Sequence, residues 1–272
     1  MTFAAALGTS SARMARTITG NGRLLASITR VELAKKHAGS VLGKLWVVLQ
    51  PMLLLTVYLF VYGVVFKSRF PGYSRRDYVL YVFAGLIPYL GFMEALTSGG
   101  VSIKQNIHLV KNVMLPIELI PVRAVFVGMA SQFVSLGIVL VMSTALGAMT
   151  SRVVLLPLAL LLQIMWLVGL TWILSSLTVA LPDTTYFVNL FIFLLMFVSP
   201  IAYRTDQVPA RLQATLYLNP IFYMTQVFRS TLLAGEHASL TVWVVYAVMS
   251  IGMFVAGSAF FLAFKGVLVD YE

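Results

Sequence analysis

Apolar and polar positions alternate along this chain in long blocks. About 20 apolar residues at ~1.5 Å each are needed to cross roughly 30 Å of hydrocarbon. Stretches of that length, with few or no charges, lie near 45–66, 78–99, 124–148, 155–181, 184–203 and 241–264. Lys44 and Lys67 bound the first, and Glu94 is the one charge inside the second. Ahead of them Leu24, Ile28 and Val31 recur at helical spacing among Arg23, Arg30, Lys35 and Lys36. That pattern predicts a basic amphipathic helix lying in the membrane interface, with Arg30, Lys35 and Lys36 at the head groups. The blocks predict an all-α integral membrane protein of about six transmembrane helices. Residues 1–44 form a basic tail and the interfacial helix, and residues 45–272 a single transmembrane domain.

Segment 204–237 differs. Pro209, an apolar run, Asn219-Pro220 and then a second apolar run carrying Arg229 follow one another. The Asn-Pro pair breaks helix, and each half is too short to span. Two short re-entrant helices dipping in from the outer face are expected, since broken backbone at membrane depth is tolerated where protein or water covers it. A seventh, kinked span is the other reading, and it would move the C-terminus outside. No internal repeat is evident.

Composition agrees. Hydrophobic residues make up 60% of the 272 and charged residues 10%, against about a quarter charged in soluble domains. Such a chain cannot coat itself for water. The net charge of +10 would suggest nucleic acid on a soluble protein, but here the basic residues fall mainly in tails and loops, where they meet anionic lipid and bias topology. With six spans the termini share a side, which collects eleven basic residues against eight on the other. The long basic N-terminal segment favours both termini in the cytoplasm. The first 31 residues contain no acid and superficially fit a transit peptide, but they run straight into the amphipathic stretch and first span.

Catalytic chemistry is missing. Cysteine is absent, which removes disulfides, thiolate metal sites and a catalytic thiol. The stretch from Gly39 to Gly43-Lys44-Leu45 has three residues between its glycines and a Leu after the Lys. A phosphate-binding loop needs four and a Ser or Thr, so no ATP is expected to be hydrolysed by this chain. His37, His108 and His237 fall in separate segments, and no metal site is expected. Glu94, Glu118 and Asp183 sit in or near spans, where an ionisable residue is a functional candidate. Glu94 lies ~24 Å along its helix from Tyr78, close enough to the inner interface to snorkel. There is no chain of acids such as a proton-coupled carrier needs.

Aromatic residues are dense along the outer half of the first window (Tyr58, Phe60, Tyr62, Phe66), the fifth (Phe197, Tyr203) and the broken segment (Tyr217, Phe222, Tyr223). They serve either as lipid-facing bulk with interface belts or as a stacking track for a sliding polymer. Tyr58, Tyr62, Phe197, Tyr203, Tyr217, Phe222 and Tyr223 are the candidate path residues.

Several stretches carry a resemblance: Arg30-Val-Glu-Leu-Ala-Lys-Lys-His37, Gly39-Ser-Val-Leu-Gly-Lys-Leu-Trp46 with Gln50-Pro51, and Tyr62-Gly-Val-Val-Phe66. Asn106-Ile-His-Leu-Val-Lys111 with Leu115-Pro116, Ser199-Pro-Ile-Ala-Tyr203, and Asn219-Pro220 with Phe228-Arg229 continue it. In order and spacing the chain resembles the permease subunits of type-2 ABC exporters, most closely the branch that exports O-antigen, capsule or teichoic-acid polysaccharide. The first stretch departs from the family pattern, which often has an aromatic residue at the position of His37. The resemblance implies a homodimer in the bacterial inner membrane, and two copies of a separate ATPase subunit that holds ATP and Mg. It also implies a lipid-linked glycan as cargo. A cytoplasmic coupling helix in 104–116 would be carried by Lys104, Asn106, Leu109, Val110, Lys111 and Pro116. A type-2 permease for drugs or small lipids shares that architecture. An ion-coupled carrier or a membrane transferase would need repeats, midplane charge or clustered carboxylates.

Overall fold

The computed structural model describes residues 3–36, 38–61, 73–106 and 115–270. Among them every regular element is helical: α1 (Phe3–Gly20), α2 (Gly22–Lys36), α3 (Trp46–Tyr58), α4 (Arg75–Gly100), the single turn α5 (Ser102–Gln105), α6 (Leu119–Gly128), α7 (Ala130–Ala145), α8 (Leu156–Ala180), α9 (Thr184–Val198), α10 (Ala210–Leu216), α11 (Pro220–Leu232) and α12 (Leu240–Asp270). The protein is an all-α integral membrane protein. Four described stretches are long and apolar enough to cross a bilayer: Arg76–Gly100, Leu119–Ala145, Ser151–Ala180 and Leu240–Gly266. Two shorter apolar helices, Trp46–Val61 and Thr184–Val198, accompany them.

Helix α4 is the hub. It starts at a capping box, in which Ser74 accepts from the Asp77 amide while the Asp77 carboxylate accepts from the Ser74 amide, satisfying amides that the helix itself leaves bare. It packs against α6, α7, α8, α9 and α11, and Leu86, Ile87 and Tyr89 are fully buried. Helices α8 and α12 approach each other backbone to backbone. A Cβ on Gly169 would lie 2.2 Å from the Met253 carbonyl oxygen, and one on Gly257 would lie 2.2 Å from that of Gly169. In lipid, where apolar burial does not favour one neighbour over another, such small-residue contacts draw helices together through dispersion.

Several boundaries differ from the sequence reading. The fifth window ends as helix at Val198 rather than 203, because Ser199 turns extended ahead of Pro200, a conformation that proline favours in the residue before it. The third begins at Leu119, earlier than 124, and takes Arg123 into its buried face. It also turns at Met129, between α6 and α7. The basic tail is itself the helix α1, which packs on α12 with Met14 1% exposed.

Candidate functional site

Three segments far apart in sequence meet where the fifth window breaks. Leaving helical geometry at Ser199 strips carbonyls of their partners, and in lipid each bare group costs several kcal/mol. Side chains of other helices take over. Arg229 Nη2 donates to the Ile201 carbonyl at 2.6 Å, Tyr78 Oη to that of Ala202 at 3.3 Å, and Tyr81 Oη to that of Tyr203 at 3.5 Å. Asn219 joins the knot by donating to Ser199 Oγ at 2.9 Å, while its own oxygen caps α11 by accepting from the Ile221 amide at 2.9 Å. Pro220 follows as the first residue of α11, where its missing N–H is harmless. Ser199–Tyr203, Asn219-Pro220 and Phe228-Arg229 thus form one unit that holds α11 against α4.

Arg229, the charge inside the second apolar run, is 0% exposed. Its guanidinium lies 3.6 Å from the Tyr81 ring centroid, and Nε donates to the Tyr81 carbonyl at 3.3 Å. Nη1 has no partner among the described residues. Gly85 makes the space, since a Cβ there would meet Nη2 at 2.6 Å. One signal was legible: a lone charge inside an apolar run of a short helix.

The structure brings Tyr58, Phe197 and Tyr203 together around a cavity of about 250 Å³ between the end of α3 and the end of α9. Tyr203 Oη donates to the Val198 carbonyl at 2.6 Å. Tyr217, Phe222 and Tyr223 form a separate edge-to-face cluster with centroids 5.3 and 5.1 Å apart. Phe222 is 4% exposed, so it supports its two neighbours from within the core instead of offering a ring to a path. Tyr62 lies outside the described residues. Along α9 one residue, Ile192, is buried, while Phe187, Phe191 and Phe197 are more than 60% exposed.

Beside the knot, Arg204 lies over the Tyr73 ring at 5.2 Å and 3.9 Å from Glu236. Tyr73 Oη donates to Glu236. Burial and then this carboxylate raise the Tyr73 phenol to about 12.

Ion pairs gather at the other end of the bundle, where α4 ends and α6 begins. Lys36 pairs with Glu94, and burial lowers the Lys36 ammonium from its ordinary value. Arg123 Nη1 lies 3.6 Å from Glu32. Lys265 Nζ lies 2.5 Å from Glu118, whose carbonyl accepts from Trp172 Nε1 at 3.1 Å. Glu94 and Glu118 are therefore paired carboxylates. The amphipathic helix α2 is pinned to two spans through Glu32 and Lys36, while Arg30 and Lys35 make no such pair among the described residues. Of the predicted coupling segment, Lys104 stands on α5 and Asn106 follows it, its Nδ2 donating to the Ser102 carbonyl at 2.8 Å. Pro116 leads into α6; Leu109, Val110 and Lys111 lie outside the described residues. Among the described residues no three His, Asp or Glu side chains gather as metal ligands would.

A helical bundle with a broken hairpin sealed by side chains, and an ion-paired helix across its opposite end, is a polytopic membrane protein. The sequence matches the family model described as ABC-2 type transporter over residues 23–233, and the chain belongs to that family. It is 30% identical over 212 residues to the O-antigen export system permease protein RfbA of Myxococcus xanthus, covering 77% of this chain and 80% of that one. Two proteins of the same name from Klebsiella pneumoniae are 27% and 26% identical over 214 residues, each alignment covering 78% of this chain and 81% of the relative.

Proposed function

We propose that this chain is the membrane subunit of an ATP-driven exporter that moves a lipid-linked polysaccharide of the O-antigen type across the bacterial inner membrane. The observation that carries the reading is the grouping of Tyr58, Phe197 and Tyr203 around one cavity, on a face where α9 leaves most of its aromatic surface open. Flat rings offer apolar area without fixed hydrogen-bond partners, which suits a polymer that slides. The names of the O-antigen relatives point to the same cargo. A second copy of the chain would cover the open faces of α3 and α9 and close the path. Two copies of an ATPase would hold ATP and Mg and act on 104–116. Six spans with both termini in the cytoplasm put α2 and the ion pairs on the ATPase side and the hairpin α10–α11 outside.

The test is export itself. Cells carrying Ala at Tyr58, Tyr203, Tyr217 or Tyr223 are assayed for surface glycan and for accumulation of small hydrophobic compounds. Graded loss of surface glycan at normal protein level is expected, because each ring contributes on the order of 1 kcal/mol. Unchanged glycan with altered compound accumulation would move the cargo to drugs or small lipids. Because the chain lacks cysteine, single cysteines at Ser11 and Gln207 read the sidedness. Ser11 should label from the cytoplasm and Gln207 from outside.

A further inference from the structure

Helix α2 does not close onto the span beneath it. Gly22, Ala26 and Thr29 follow one another at helical spacing along one face, and their small side chains leave a groove of about 480 Å³. Leu25 and Leu33 form its α2 wall and Phe126 and Phe133 its span wall. Phe133 is 43% exposed, so the groove opens sideways to lipid. Arg30 stands at its rim.

The charge around the groove is lopsided. Glu32 is the one acid in the first 76 residues, and it faces Arg123 at 3.6 Å. Lys36 is taken by Glu94. Arg30 has no hydrogen bond or ion pair among the described residues. A guanidinium without a carboxylate, above an apolar slot at the membrane interface, matches an amphiphile whose head is anionic and whose tail is a hydrocarbon chain.

We propose that this groove is a binding site for one anionic phospholipid per chain, with an acyl chain against Phe126 and Phe133 and the phosphate on Arg30. The lipid would wedge between α2 and the third span, and so set the seat of the helix that Glu32 and Lys36 pin to α6 and α4. The site shares no lining residue with the Tyr58, Phe197 and Tyr203 cavity, and it stands or falls independently of the cargo.

The test uses the full chain, purified, delipidated and reloaded with equimolar phosphatidylglycerol and phosphatidylethanolamine, with retained lipids counted by native mass spectrometry. The wild type should keep one phosphatidylglycerol per chain in preference to phosphatidylethanolamine. Arg30→Gln should cut that preference about fivefold, and Arg30→Lys should restore much of it. Ala130→Phe, which fills the groove, should expel lipid of either head group. Arg13→Gln, on α1 away from the groove, should change nothing. Equal retention of the two lipids by the wild type would overturn the proposal. So would an equal loss in Arg13→Gln, which would mean diffuse surface charge. Unaltered retention in Ala130→Phe, or displacement of the lipid by a polyprenyl diphosphate added at equal concentration, would overturn it as well.

Discussion

Arg229 and Gly85 occupy one space: the guanidinium reaches the Ile201 carbonyl across the point where any side chain at residue 85 would stand, 2.6 Å from Nη2. The α4–α11 contact is built around that overlap, and the broken backbone after Ser199 depends on it.

Gly85→Ala should therefore lower stability by about 1–3 kcal/mol through overpacking. In an Arg229→Ala background the same change should cost clearly less, because the clashing group is gone. Thermal unfolding of the four proteins in detergent gives the coupling. Additive costs would show that the two residues do not share the space.

Gln163 donates to Gln132 Oε1 at 3.1 Å and to the Pro88 carbonyl at 3.0 Å, while Gln132 donates back to Gln163 at 2.7 Å. Interhelical hydrogen bonds of this kind contribute about 0.6–2 kcal/mol in membranes. Gln163→Leu should cost more than Gln132→Leu, since it severs the tie to α4 as well. The double variant should cost less than the sum, because no amide is left unpaired. Denaturation in mixed micelles reads all three, and a larger loss in Gln132→Leu would contradict the network.

Glu118 is 5% exposed at the side chain and Lys265 35%. Glu118→Gln should lower stability by about 1–2 kcal/mol after allowing for the solvent that reaches the ammonium. Lys265→Met should cost at least as much, since it leaves a buried carboxylate alone. The exchange Glu118→Lys with Lys265→Glu should recover part of the loss. No recovery in apparent melting temperature would mean that position, rather than charge pairing, matters at this site.

For the proposed coupling segment, Leu109→Asp with Val110→Asp should uncouple transport by putting charge into a packed contact with the ATPase. The expected result is a permease that still folds and dimerises but no longer stimulates ATP hydrolysis. Normal glycan export in the double variant would remove residues 109 and 110 from the mechanism.

Lipid as solvent made much of this protein legible from one sequence. Apolar windows had to be helices, because a backbone without water must bond within its own segment. The Asn219-Pro220 pair marked a helix break, whereas the fifth window ran on through Pro200 although the helix stops at Val198. The spacing of Leu24, Ile28 and Val31 marked α2 as a helix, but Leu24 and Val31 stay exposed and the residue it buries is Leu25. What tertiary structure alone decided is which distant groups meet. The pairings of Lys36 with Glu94, Glu118 with Lys265 and Arg229 with the Ile201 carbonyl join residues 58, 147 and 28 positions apart. Local periodicity cannot say whether a charge in an apolar run points at lipid, water or another helix. That choice belongs to packing, and here a missing Cβ at Gly85 lets Arg229 turn inward instead of snorkelling to the surface.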